Sequence, residues 1–209
     1  MNKILAGRLR TPLDTQGLPD NSAWESSSLI SFCTDWRNQN PDPGRETCVQ
    51  LLWSPDHLFL RYRCRYREIF VYEGGNKRRD KLWMRDVAEV FIRPDTEETK
   101  HYKEFEVSPN GDWLDLDIFP EGKSILLCDL KSRVSIDSES RIWSAELAIP
   151  FECLVPSFNP RDTWRLNLFR VEGVEPNRFY SAWQPTHTPQ PNFHVPEAFG
   201  YLSFETSSL

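Results

Sequence analysis

The stretch that decides the fold class is HLFLRYRCRYRE, residues 57–68. Its leucines, tyrosines and cysteine alternate with arginines, and successive side chains of a β-strand point to opposite faces of a sheet. The alternation therefore predicts a strand with one buried face and one face in water. An arginine row of this kind is typically solvated, and the other interpretation is a contact surface for a ligand or a partner.

Short segments of the same kind continue on both sides of this strand. Sixteen prolines and nine glycines separate them, and we find no long helical pattern. Regularly spaced short strands are typical of all-β folds. We therefore predict one all-β domain over residues 1–209, an antiparallel β-sandwich of two packed sheets, immunoglobulin-like or jelly-roll-like, with long ligand loops. Further strands are predicted at residues 48–53, 86–93, 102–108, 113–119, 124–129, 133–136, 141–149, 164–172, 179–183 and 200–204, with one helical turn at 151–154.

The charge of the chain is mildly acidic, because 25 Lys and Arg against 31 Asp and Glu give a formal net charge of -6. A nucleic-acid binder usually carries a basic stripe, and an electrostatic membrane binder carries a cationic patch. No stretch approaches the length of a membrane span. We therefore expect neither a nucleic-acid partner nor a membrane partner.

Five cysteines, an odd number without a C-x-x-C pair, indicate neither a zinc site nor a disulfide framework. Cys64 lies on the apolar face of the predicted strand, which favours a buried free thiol. This cysteine usage suits a reducing compartment. The first twenty residues hold no apolar run long enough for a secretion signal. We expect a cytoplasmic protein as the chain stands, and an extracellular or periplasmic one if a signal has been removed.

Four glutamates fall in or near strand centres: Glu89, Glu104, Glu106 and Glu146. A carboxylate on a strand is costly unless it is exposed, paired or bound to a ligand. Three interpretations stay open. The glutamates face water or pair with arginines, they accept hydrogen bonds from sugar hydroxyls, or two of them form the acid and base of a glycosidase, which requires a specific separation between the carboxyl groups.

Two aromatic residues are candidates for a binding platform. Trp83 lies where a loop leads into a predicted strand, and Phe193 lies in a Pro-rich loop at residues 184–198, beside Gln190 and Asn192. Flat aromatic rings flanked by polar groups are typical of carbohydrate sites, because the C–H faces of sugars stack on them. An aromatic ring in such a loop is less often part of a core, which favours Phe193 as a ligand contact.

Several motifs follow one another in an order that resembles a known family. They are SAWE at residues 22–25, DVAEVF at 86–91, YKEFEVSPNG at 102–111, WSAELAIPF at 143–151, WRLNLFR at 164–170, SAW at 181–183 and FGYL at 199–202. The series, over about residues 14–204, resembles the family 9 carbohydrate-binding modules and their DOMON-like relatives. The resemblance implies a non-catalytic domain that binds a mono- or oligosaccharide.

The resemblance also implies site residues. In the family two aromatic rings sandwich the sugar, and the matching positions are Trp83 and Phe193. The family's strand carboxylate matches Glu89, and an amide before the second ring matches Gln190 or Asn192. Two positions depart from the family: the second ring is Phe where the modules carry Trp, and Glu106 stands where a basic residue contacts sugar hydroxyls.

Three further possibilities follow from the resemblance or compete with it. Family members hold structural calcium on acidic loops, for which Asp95, Glu97 and Glu98 are unspecific candidates. Some DOMON-like relatives bind haem b, for electron transfer, through a Met and a His or Lys, and Met84 with His187 or His194 matches that ligand chemistry. The remaining alternatives are a glycosidase or lyase that uses Glu89 with Glu104 or Glu106, and an interaction domain whose sugar site has decayed.

Overall fold

The computed structural model describes residues 2–94 and 100–206. This part of the chain contains thirteen β-strands and five short 3-10 turns. No helix in this part is long and apolar enough to cross a membrane. The 3-10 turns are Asn21–Trp24, Pro43–Arg45, Leu82–Met84, Phe151–Cys153 and Pro196–Ala198. The strands are β1 Lys3–Arg8, β2 Leu29–Phe32, β3 Thr47–Trp53, β4 His57–Arg65, β5 Val87–Arg93, β6 Tyr102–Val107, β7 Trp113–Phe119, β8 Gly122–Ile125, β9 Lys131–Asp137, β10 Ile142–Pro150, β11 Trp164–Glu172, β12 Phe179–Ala182 and β13 Gly200–Phe204.

The strands form one curled mixed sheet, a half-barrel, in the order β8-β7-β6-β5-β11-β13-β1-β3-β4-β10-β9. Strand β12 pairs with β11, and β2 pairs with β3. The all-β prediction is confirmed, but the strands form a curled mixed sheet that is not clearly the expected antiparallel sandwich of two packed sheets. The reason is β1, which pairs in parallel with β13 through residues 3–6 and in parallel with β3 through residues 7–8.

The main core lies inside the curl, and a second apolar cluster covers the other face of the β5 half. Ala88, Val90 and Ile92 of β5 belong to the main core, whereas Val87 and Phe91 belong to the second cluster. A strand that is buried on both faces reads as a nearly continuous apolar run rather than as an alternating one. This accounts for the sequence VAEVFI, in which a glutamate is the one polar residue.

A disulfide joins Cys128, in the segment between β8 and β9, to Cys153 in the 3-10 turn after β10. The expectation that the cysteines form no disulfide is therefore wrong. The two partners are 25 residues apart and carry no local signature, and only the fold brings their Cα atoms to 5.8 Å. Cys33, Cys48 and Cys64 are free, and burial raises the pKa of the Cys64 thiol to about 11.

We expect Cys128→Ser to lower the free energy of unfolding by about 3 kcal/mol, because the disulfide removes loop-closure entropy from the unfolded chain. Urea unfolding followed by tryptophan fluorescence measures the change. Cys33→Ser, which alters a free thiol, is the matched control and should leave the midpoint unchanged. If reductant shifts the midpoint of the Cys128→Ser variant as much as that of the parent, the effect does not come from this disulfide.

Candidate functional site

Three glutamates meet on the face of the sheet that carries the second apolar cluster. Glu89 of β5 lies directly opposite Glu106 of β6, and Glu104 lies two residues away on the same face of β6, opposite Phe91. Adjacent strands place such cross-strand neighbours with Cβ atoms about 4.5–5.5 Å apart. The side chains are nearly inaccessible to solvent, with relative exposures of 2% for Glu89, 3% for Glu104 and 0% for Glu106. We call Glu89, Glu104 and Glu106 the glutamate triad.

Four of the six carboxyl oxygens of the triad lack a hydrogen-bond donor among the described residues. Both carboxyl oxygens of Glu106, Oε1 of Glu89 and Oε2 of Glu104 are buried without a hydrogen-bond partner. A buried polar atom without a partner costs roughly 1–3 kcal/mol, and more when it is charged. Natural proteins keep few such atoms, so a concentration of them in one place marks a position that suits a bound molecule with donor groups.

The pKa values of Glu89 and Glu106 are raised well above the ordinary value for glutamate. Burial is the largest cause for both carboxyls, followed by the negative charge of Glu104 for Glu89 and by those of Glu89 and Glu104 for Glu106. Like charges this close oppose simultaneous ionisation.

Two basic side chains oppose this effect through their charge. Lys123, on the exposed edge strand β8, lowers the pKa of Glu106, and Arg178 lowers that of Glu89. The guanidinium of Arg178 donates hydrogen bonds to the backbone carbonyl of Trp83 and, at 3.3 Å, to that of Arg85. Arg178 therefore anchors the turn that carries Trp83 beside the triad.

Trp83 belongs to the 3-10 turn Leu82–Met84, and its ring is half-buried against the second apolar cluster. Leu82 is fully buried and ties the turn to that cluster. The Nζ atom of Lys123 lies 4.1 Å from the centroid of the Trp83 ring, which is a cation–π contact. The ring is thus fixed at one end of the sheet face and carries an ammonium group above it.

Phe193 stacks on Phe169 with a centroid distance of 4.2 Å and an interplanar angle of 13°. Phe169 of β11 pairs in register with Glu89, so this stack adjoins the triad. The ring of Phe193 is 8% exposed and belongs to the second apolar cluster. The expectation that this loop aromatic lies outside the core is therefore wrong, because the loop folds back onto β11.

The amide candidates lie on the same loop and are exposed. Asn192 accepts a hydrogen bond from the backbone N–H of His194 at 3.0 Å, and the Gln190 carbonyl accepts one from Thr188 at 2.7 Å. These hydrogen bonds stabilise the conformation of the loop, and Gln190 is exposed to solvent.

Three residues near the triad were not assigned to the site from the sequence. The hydroxyl of Tyr102 lies 2.6 Å from Nδ1 of His194, and the same nitrogen lies 4.0 Å from Oε2 of Glu104. Tyr102 shares the face of β6 with Glu104 and Glu106, so strict alternation along that strand points to it. Lys123 has no such signal, because β8 is an exposed strand whose neighbour cannot be inferred from its own four residues.

Glu146, the fourth strand glutamate, belongs to a different environment. It pairs with Arg61, whose Nε lies 2.7 Å from Oε1, and with Arg133 at 2.9 Å from Oε2. This is the arginine pairing that the sequence left open. This pairing distinguishes Glu146 from the triad, whose members form no ion pair with an arginine among the described residues.

The described residues show no arrangement that supports the calcium or haem candidates. Asp95, Glu97 and Glu98 lie outside the described residues. Within residues 2–94 and 100–206, no group of three or more His, Cys, Asp or Glu is arranged to hold a metal ion. Met84 is 46% exposed, while the ring of His194 is engaged with the Tyr102 hydroxyl.

We expect Glu106→Gln to stabilise the protein increasingly as pH rises. A carboxyl whose pKa is raised on folding contributes stability that is complete below its ordinary pKa, about 4.3, and is lost as pH rises through the folded value. Glutamine has nearly the same shape and no charge. Thermal melts at a series of pH values should therefore show a midpoint difference, variant minus parent, that grows from pH 4 towards pH 8. Glu139→Gln, in the exposed turn after β9, should show no such trend, and an equal trend in both variants would contradict this account.

No protein-family model matches the chain. A curated relative from Arthroderma benhamiae, named an extracellular protein, is 23% identical over 195 residues and matches 85% of this chain and 86% of its own length. A proposed carbohydrate-binding protein from Bacteroides uniformis has a similar structure, with a TM-score of 0.75, 19% identity and coverage of 97% of this chain and 99% of that one.

A family 9 carbohydrate-binding module from Caldicellulosiruptor kristjanssonii, in complexes with cellotriose and with glucose, superimposes with a TM-score of 0.63 at 13% identity. The match covers 99% of this chain and 95% and 97% of those chains. At these identities the likeness establishes the fold. The chain has the fold of a carbohydrate-binding module, as its order of motifs predicts.

Proposed function

We propose that the protein is a non-catalytic carbohydrate-binding domain whose site is built on the glutamate triad. The observation that carries this proposal is the group of buried carboxyl oxygens without donors, next to the half-buried ring of Trp83. A sugar supplies both complements, because its hydroxyls donate hydrogen bonds and its C–H faces pack on aromatic rings. The structurally similar module from Caldicellulosiruptor kristjanssonii binds cellotriose and glucose, which supports a sugar as the ligand class.

The predicted site residues take unequal parts in this proposal. Trp83 is the platform on which a sugar ring stacks, and Glu89 and Glu106 accept hydrogen bonds from hydroxyls. Gln190 and Asn192 border the site from the loop. Phe193 supports the wall of the site through its stack on Phe169, and its ring is 8% exposed.

The same electrostatics support binding rather than catalysis. An acid–base pair in a glycosidase needs two carboxyls whose environments push their pKa values apart. Burial instead raises the pKa values of Glu89 and Glu106 in the same direction. The environments of Glu89 and Glu106 therefore do not distinguish one of them as an acid and the other as a base.

We also propose that the protein works in an oxidising compartment outside the cytoplasm. The Cys128–Cys153 disulfide supports this, because disulfides persist in such compartments and are rare in the cytosol. The relative from Arthroderma benhamiae carries the name of an extracellular protein. Membership of the DOMON-like superfamily stays a prediction that rests on the motif order.

We expect tryptophan fluorescence to change saturably when a sugar of one class is titrated into the protein, and Trp83→Ala to weaken that binding at least about tenfold, because stacking on the platform is lost. Leu29→Ala, which removes a large exposed apolar side chain on β2, is the control and should bind like the parent. The panel should contain mono- and oligosaccharides of neutral, acidic and amino sugars.

Phe193 needs a gentler change, because Phe193→Ala empties a buried position and should lower the free energy of unfolding by about 3 kcal/mol. Phe193→Leu keeps most of the volume and separates binding from folding.

A folded Trp83→Ala variant with unchanged affinity would contradict the proposed platform. No response of the parent protein to any sugar would favour an interaction domain with a decayed site.

A further inference from the structure

We infer that the preferred ligand of this site is an amino sugar, bound through its protonated amine to the glutamate triad. The inference rests on the proposed function, since it names the sugar class for the same site. It starts from two independent observations: carboxyl groups that are buried without donors, and an ammonium group that already occupies the face of Trp83.

The triad gathers carboxyl groups in a place where the protein supplies little to neutralise them when they ionise. Glu106 is fully buried, and neither of its carboxyl oxygens has a hydrogen-bond partner. Nη2 of Arg178 donates to the backbone carbonyls of Trp83 and Arg85, and Arg178 acts on Glu89 through its charge. A buried charge is stabilised when it is both paired and hydrogen-bonded.

Lys123 shows what kind of group fits above the platform. Its Nζ atom lies 4.1 Å from the centroid of the Trp83 ring, and its charge acts on Glu106. The residue lies on the four-residue edge strand β8, where every residue is exposed. A long side chain at such a position moves out of the way at little cost, and a ligand ammonium then takes its place between the ring and Glu106.

An amine does what a hydroxyl cannot do at this site. A neutral sugar donates hydrogen bonds to the triad but does not reduce the repulsion between the ionised carboxyls of the triad. An ammonium group donates three hydrogen bonds and also offsets the charge of one carboxylate. Charge-assisted hydrogen bonds are roughly twice as strong as neutral ones. The difference in affinity should therefore favour the amino sugar over its neutral analogue by at least about tenfold.

Binding of an amino sugar should be linked to the release of protons from the triad. The groups that face the triad are Lys123 from β8, Arg178 from the loop before β12, His194 from the Pro-rich loop and Tyr102 from β6. An ammonium stabilises the ionised carboxylates, so binding displaces protons from Glu89 and Glu106. Affinity should rise with pH until the amine itself loses its proton.

Isothermal titration calorimetry with glucosamine, N-acetylglucosamine and glucose tests this inference. We expect glucosamine to bind at least about tenfold more tightly than the other two sugars. Its heat of binding should vary with the ionisation enthalpy of the buffer, because protons are released. Glu106→Gln should reduce the preference, and Lys123→Met should strengthen glucosamine binding by removing the competing ammonium.

The outcomes separate this inference from the proposed function. If glucose or N-acetylglucosamine binds as tightly as glucosamine, the amino-sugar inference is wrong while the carbohydrate-binding function stands. If none of the sugars of the wider panel binds, both are wrong. Glu139→Gln removes one negative charge far along the chain from the triad, and a loss of preference in that variant equal to that in Glu106→Gln would mean that net charge, not the triad, attracts the amine. Glu104→Gln provides the second test within the triad.

Discussion

The alternation of side chains along β5 is the constraint from which the site follows. Ala88, Val90 and Ile92 fill the main core, and a β-strand has a side-chain period of two. Glu89 must therefore face the second apolar cluster, between Val87 and Phe91. Pairing with β6 then brings Glu106 directly opposite Glu89. A slip of one residue would put the carboxylate into the main core, so register and site are determined together.

The triad opposes the stability that its surroundings provide. The second cluster excludes water from Glu89 and Glu106, and this exclusion raises the pKa values that make the carboxyls costly to ionise. The same exclusion strengthens any hydrogen bond or ion pair formed there, because the local dielectric constant is low. The apolar wall with Phe169 and Phe193 thus has two effects, one on folding and one on binding, with a common physical cause.

The alternation and turn residues within a segment predict those elements whose structure is determined by residues close together in the chain. The alternating burial along β4, the strands β6 and β7 and the 3-10 turn at Phe151–Cys153 agree with expectation. The half-barrel depends instead on β1, six residues whose parallel partners lie far along the chain. The Cys128–Cys153 pair is likewise non-local. Parallel pairing and distant disulfides leave no periodic signal within a segment, which is why both were missed.

The residues of the site likewise divide into those that the local sequence pattern indicates and those that depend on distant contacts. Glu89 and Glu106 could be named from strand alternation and from the resemblance, whereas the burial of Phe193 depends on how a long loop returns to β11. Lys123 is the clearest case, since nothing in its own strand indicates that it lies over Trp83. Its ammonium offsets part of the triad's charge from an exposed edge, where the side chain can leave. A core arranged for stability alone would carry an apolar residue at position 106. The buried carboxyl, with the cation of Lys123 over the Trp83 ring, is the arrangement expected of a site that exchanges its own ammonium for that of a ligand.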